Sequence, residues 1–165
     1  MDKGIIKDIE KKYIEAVKFY EEEINTKHSP SVNCFINLAF LYWSFATEQI
    51  EFNEPNNIAD EWSMIGGEKF LSTVDKGLDN YPGNLELVFW KQYFLSRLYI
   101  IDFSENDCKD LLKQYEKDAS LVPYFFLYLF DKKSYLQEIS QLREICFSLP
   151  TAKNIYINSF IEEKS

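Results

Sequence analysis

The chain has 165 residues, 46% apolar and 17% aromatic, with only five Gly and five Pro. This composition excludes a disordered chain and a turn-rich all-β fold, and it suits one domain with a real core. Eighteen basic against 27 acidic residues give a net charge of −9, which opposes binding to nucleic-acid phosphates or anionic lipid and favours a basic partner or simple solubility.

Ile6, Ile9, Tyr13, Ala16 or Val17, Tyr20 and Ile24 recur at three- and four-residue steps and predict a first helix over 4–26. Lys and Glu fill its other face, Glu21-Glu22-Glu23 included. His28-Ser29-Pro30 is a polar turn that supplies an N-cap and a first helical proline. A second helix follows to about residue 50, carrying Phe35, Leu38, Ala39, Tyr42, Trp43 and Phe45. Pro55 and three Asn make 51–59 a loop. The third helix, 60–80, holds Trp62, Ile65, Phe70, Val74 and Leu78, and Gly66-Gly67 marks a bend or a close helix contact in it.

Tyr81-Pro82-Gly83-Asn84 is a turn. The fourth helix, 85–102, is apolar nearly all round and belongs in the middle of the molecule. Ser104 opens a fifth helix with Leu111, Leu112 and Tyr115 inward, and Pro123 a short sixth rich in aromatics. The seventh, 134–147, uses Tyr135, Ile139, Leu142, Ile145 and Cys146; the eighth follows Pro150 with Ile155, Ile157, Phe160 and Ile161. Eight helices with short connections imply an all-α fold of antiparallel hairpins in a single domain, 1–165.

Several of these residues carry a resemblance. Ala16 with Tyr20 matches the small and bulky positions of a second helix. Phe35, Leu38, Ala39 and Tyr42 match the next first helix, and Val74, Leu78 and Pro82 the end of another second helix. On these positions the chain resembles the tetratricopeptide repeat family over roughly residues 5–100, with the loop at 51–59 interrupting the period. Lys91 departs from the pattern, and from 105 onward helix pairs continue without a repeat signature. The resemblance implies a right-handed α-solenoid or a compact α-α superhelix, with repeat-like hairpins over 4–102 and less regular ones over 105–163.

The family binds peptides or helices in a groove made by its first helices. The matching positions here are Asn33, Ile36, Asn37, Phe40, Trp43 and Ser44, then Leu85, Val88, Phe89, Gln92 and Ser96. Asn37 falls where a clamp for C-terminal carboxylates carries an Asn, but the Lys and Arg of that clamp have no match, which argues against a chaperone-tail clamp. Core packing is the competing role for the aromatics.

No arrangement of residues points to catalysis. The only His, His28, is in a turn; there is no phosphate loop, no GxSxG and no zinc spacing, so neither enzyme activity, cofactor nor metal is expected. Cys34, Cys108 and Cys146 are widely spaced and read as reduced core thiols. The first residues carry no apolar leader and no apolar run spans a bilayer, so the expected setting is cytoplasmic, away from membrane.

One charge feature stands out. No Lys or Arg occurs between His28 and Glu68, while Glu48, Glu51, Glu54, Asp60, Glu61 and Glu68 do, beside Phe52 and Trp62. This reads either as a solvated acidic loop or as a docking site for a basic protein, with charge steering encounter and an aromatic anchoring it. The expected function is therefore a non-catalytic protein-protein interaction module. It is an acidic inhibitor or immunity-type protein binding a basic partner such as a toxin domain, or a general adaptor, acting as a monomer or weak dimer. The partner-contacting residues would be Asn33, Asn37, Trp43, Glu48, Glu51, Glu54, Asp60, Glu61 and Gln92. An all-helical ligand-binding protein with an apolar pocket lined by aromatics such as Phe89, Trp90, Tyr93 and Phe125 is the alternative of another class.

Overall fold

A computed structural model describes residues 1–163, and every regular element among them is helical. The all-α expectation holds. The chain forms two compact units, 1–81 with 151–153, and 82–150 with 154 onward.

The first unit contains α1 (Lys3–Ile9), α2 (Tyr13–Thr26), α3 (Val32–Thr47), a π-helical turn (Gln49–Asn53) and α4 (Glu61–Asn80). The helix expected over 4–26 is two helices. Lys11 takes φ 61°, and α1 doubles back onto α2. The apolar spacing Ile6–Ile9–Tyr13 runs through this break, yet α1 buries Gly4 and Asp8 rather than Ile6. A left-handed Lys costs on the order of 1 kcal/mol. Doubling back offsets it, because the Tyr20 hydroxyl donates to Asp8 at 2.8 Å. The Tyr20 ring lies so near Gly4 that a Cβ there would overlap it.

The polar turn after α2 runs two residues further than expected: Ser31, not Ser29, caps α3, accepting from the Asn33 amide at 3.2 Å, and Pro30 precedes the helix instead of opening it. All residues from Cys34 to Phe45 on α3 are buried, so the burial expected of the fourth helix belongs most fully to this one. Phe35, Phe40 and Phe45 are each 1% exposed or less. Burying each stabilises the fold by about 1.5–3 kcal/mol. Of the Gly pair, Gly66 is the close contact: a Cβ there would overlap the Tyr42 carbonyl oxygen, so α4 lies against α3 backbone to backbone. Gly67 has only the Ala46 Cβ nearby, at 3.9 Å from where its own would be.

The second unit contains α5 (Leu85–Arg97), α6 (Glu105–Gln114), α7 (Pro123–Tyr128), α8 (Leu136–Ser148) and α9 (Ala152–Ile161) from Asn154 on. Sequence punctuation sets their starts. Asn84 accepts from the Leu87 amide at 3.0 Å, Ser104 and Asp107 cap each other's backbone, and Pro123 takes the first turn of α7. Helix α5 stops at Arg97 rather than at 102, where Tyr99 turns to φ 59° and stands 93% exposed. The core is aromatic: the Phe89 ring lies 5.2–6.2 Å from those of Trp90, Tyr93, Phe103, Phe125 and Phe126. Among the described residues no helix is long and apolar enough to cross a membrane.

Candidate protein-docking surface

The acidic segment is built outward from the end of α3. Here the helix loosens into the π-turn, and side chains take over its carbonyls. Asn53 Nδ2 donates to the Phe45 carbonyl at 2.8 Å and Gln49 Nε2 to the same oxygen at 3.2 Å. Asn56 Nδ2 donates to the Phe52 carbonyl at 2.8 Å, and Asn57 sits at φ 53°, a conformation Asn tolerates. Gln49 also bonds Ser63 at the start of α4. Asn53 and Asn56 thus brace a frame, and Asn57 makes its tight turn.

That frame sorts the side chains. Phe52 packs on Tyr13 at 4.8 Å and on Phe45 at 6.0 Å, and Trp62 on Phe45 at 5.7 Å. The two aromatics named from sequence as anchors are therefore half-buried and hold the frame on α2 and α3. The exposed apolar residues are instead Ile50, 73% exposed, and Met64, 70% exposed. In the same segment Glu51, Glu54, Asp60 and Glu61 are exposed and Glu48 is half-buried. None of the four exposed acids is ion-paired among the described residues. The nearest Lys in sequence, Lys69, is held by Glu21 at 3.3 Å.

The groove positions fare differently. Asn37 is 6% exposed and Trp43 is 1% exposed, so both are core residues here. Ile36, Phe40 and Ser44 are buried with them, Gln92 is half-buried, and Asn33, at the start of α3, is exposed. The stretch Cys34–Phe45 of α3, with these positions in it, closes on all sides instead of opening as a groove.

Two buried polar clusters escaped the sequence reading, because their members are far apart in the chain. Asp8 is 1% exposed and accepts from the Tyr20 hydroxyl and, at 2.7 Å, from the Ala152 amide. Burial pushes its carboxyl up to about 6, against the pull of those two donors and of Lys153. Asp2, Glu23 and Cys34 bring two carboxylates and a thiol within 4.8 Å of one another, the only such group of potential metal ligands among the described residues. Each oxygen has a protein hydrogen to accept. Asp2 caps the Gly4 amide at 2.7 Å, and Glu23 takes Lys27 Nζ at 2.6 Å and the Ser31 amide at 3.1 Å. Burial and then Glu23 hold the Cys34 thiol well above its ordinary pKa, so it is protonated at neutral pH. The cluster closes the turn between α2 and α3.

Comparison with protein-family models, with curated proteins and with solved structures finds no match to this chain.

Proposed function

We propose that this chain is a non-catalytic protein-protein interaction module, built of tetratricopeptide-like hairpins, whose acidic face binds a basic partner. An inhibitor of the immunity type, blocking a basic toxin or nuclease domain, fits this chemistry most directly. One observation carries the reading: Glu51, Glu54, Asp60 and Glu61 are exposed and not ion-paired in the same segment that exposes two large apolar side chains, Ile50 and Met64. An apolar centre with a charged rim is the anatomy of a protein interface. Inhibition by such a face needs shape and charge alone, with no catalytic group.

The braced π-turn supports it further. A face already ordered before encounter loses little conformational entropy on binding. The test is affinity capture of the native partner at stoichiometric yield, followed by titration of the purified pair with the wild type and with the triple reversal E51K/E54K/D60K. The reversal is expected to weaken binding by about tenfold or more, with helicity by circular dichroism unchanged. Equal affinity would remove this segment from the interface.

A further inference from the structure

We propose that the groove between α8 and α9 is a second docking surface, and that its occupant is a basic amphipathic helix of a partner protein. The inference concerns the second unit alone and stands independently of the surface around Ile50.

The pairing of these helices is fixed by two bonds. Arg143 Nε donates to the Ile161 carbonyl, and Asn154 Nδ2 to the Leu149 carbonyl. As residue numbers fall along α8 they rise along α9, so the two run antiparallel. Their inner faces are satisfied: Ile139, Leu142, Cys146, Ile157 and Ile161 are all buried. Their outer faces are not. Between them lies an open groove of about 390 Å³, lined by Phe147, Pro150 and Ile155 with Asn158 and Ser159. Phe147 is 85% exposed and Ile155 40% exposed. A Phe that projects into water beside a concave apolar wall is a side chain without its contact.

The shape and the charge each narrow the occupant. A trough between two antiparallel helices takes a third helix, whose side-chain ridges seat in it at i, i+3, i+4 and i+7. The charge at the rim is acidic: Glu162 lines the groove and Glu144 lies one turn before Phe147, both exposed and neither ion-paired among the described residues. Arg143 of α8 is engaged by the Ile161 carbonyl and by Glu163 at 3.4 Å. A second copy of the chain would bring Glu144 and Glu162 against their own kind on two molecules each carrying −9. A helix with Lys or Arg flanking an apolar stripe meets the same rim with opposite charge.

The probe is a fluorescein-labelled peptide of Leu and Lys, about five helical turns long and patterned to be amphipathic. It is titrated against the full chain by anisotropy. A scrambled Leu/Lys peptide and a Leu/Glu peptide of the same pattern are the controls. The patterned Leu/Lys peptide is expected to bind more tightly than both. Its affinity should fall about tenfold in F147S/I155S, a variant altering exposed positions whose fold is checked by circular dichroism. The E51K/E54K/D60K chain should keep that affinity within about threefold, because its changes lie in the other unit. Equal binding by F147S/I155S, or by the scrambled peptide, would overturn the proposal. So would light scattering that shows a dimer lost on F147S, since the occupant would then be a second copy.

Discussion

The Glu21 carboxylate of α2 accepts a hydrogen bond from the Tyr42 hydroxyl of α3, and the same oxygen takes the Lys69 ammonium of α4 at 3.3 Å. Lys69 also lies 5.7 Å over the Tyr42 ring. One carboxylate oxygen thus ties three helices together. Y42F keeps the ring and removes the donor, leaving Glu21 with Lys69 alone. It should destabilise the chain by about 1–2 kcal/mol in urea unfolding. An unchanged midpoint would mean that solvent already satisfies Glu21.

The two adjacent glycines of α4 should respond in opposite directions to the same change. G66A drives a methyl into the Tyr42 carbonyl and must push α3 and α4 apart, at a cost of about 1–3 kcal/mol. G67A places its methyl at ordinary contact distance from Ala46. It should gain up to about 1 kcal/mol from helix propensity. Thermal melts of the two single variants decide this. A stabilised G66A would show that the helices are not held at backbone contact.

Asp8 makes a pH prediction whose sign runs against the usual carboxylate case. Its folded pKa, about 6, lies above its ordinary 3.8. Above pH 6 the folded chain therefore holds a buried charge that the unfolded chain holds in water. That penalty, on the order of 3 kcal/mol, is relieved as pH falls through 6 and is gone below 4. Tyr20 and Tyr13 of α2 and Lys153 are the groups that face it. D8N keeps an acceptor for the Ala152 amide and does not titrate. Measured against D8N, the wild type should gain stability between pH 7.5 and pH 4. A constant difference across that range would show that Asp8 does not change protonation there.

All three thiols are buried, at 2% exposure or less. Burial alone pushes Cys108 up to about 12. Cys34 is held higher still by the added carboxylates. A disulfide-exchange reagent should titrate fewer than one thiol per chain under native conditions and all three after denaturation. Rapid native reaction at any one of them would place that Cys on a mobile element.

The helices whose ends are written in short-range chemistry were legible from the residues alone. Asn84, Ser104 with Asp107, and Pro123 each act within three positions of themselves, so spacing suffices to find them, whereas the cap of α3 is Ser31, two residues past the Ser29 that the sequence favours. The break at Lys11 was not legible, because apolar periodicity continues through it and its cause, the Tyr20–Asp8 bond, spans 12 residues. The acidic segment was visible as composition. Which apolar residues it displays was not, since Phe52 and Trp62 outrank Ile50 and Met64 as anchors on type alone. Only the packing of both aromatics around Phe45 reverses that order. Asp8 with Ala152, 144 residues apart, lies beyond any local reading.

The π-turn has a kinetic consequence. Its amides are engaged in sequence, Phe52 and Asn53 to the Glu48 carbonyl at 2.9 and 3.0 Å, Glu54 to Gln49 at 2.9 Å and Ile58 to Asn53 at 2.9 Å. A connector of this composition would ordinarily trade its amide protons for deuterium within the first moments in heavy water. Here those four protons should be retained about as long as the ends of α3 and α4. They would be released only when that pair of helices opens as a unit.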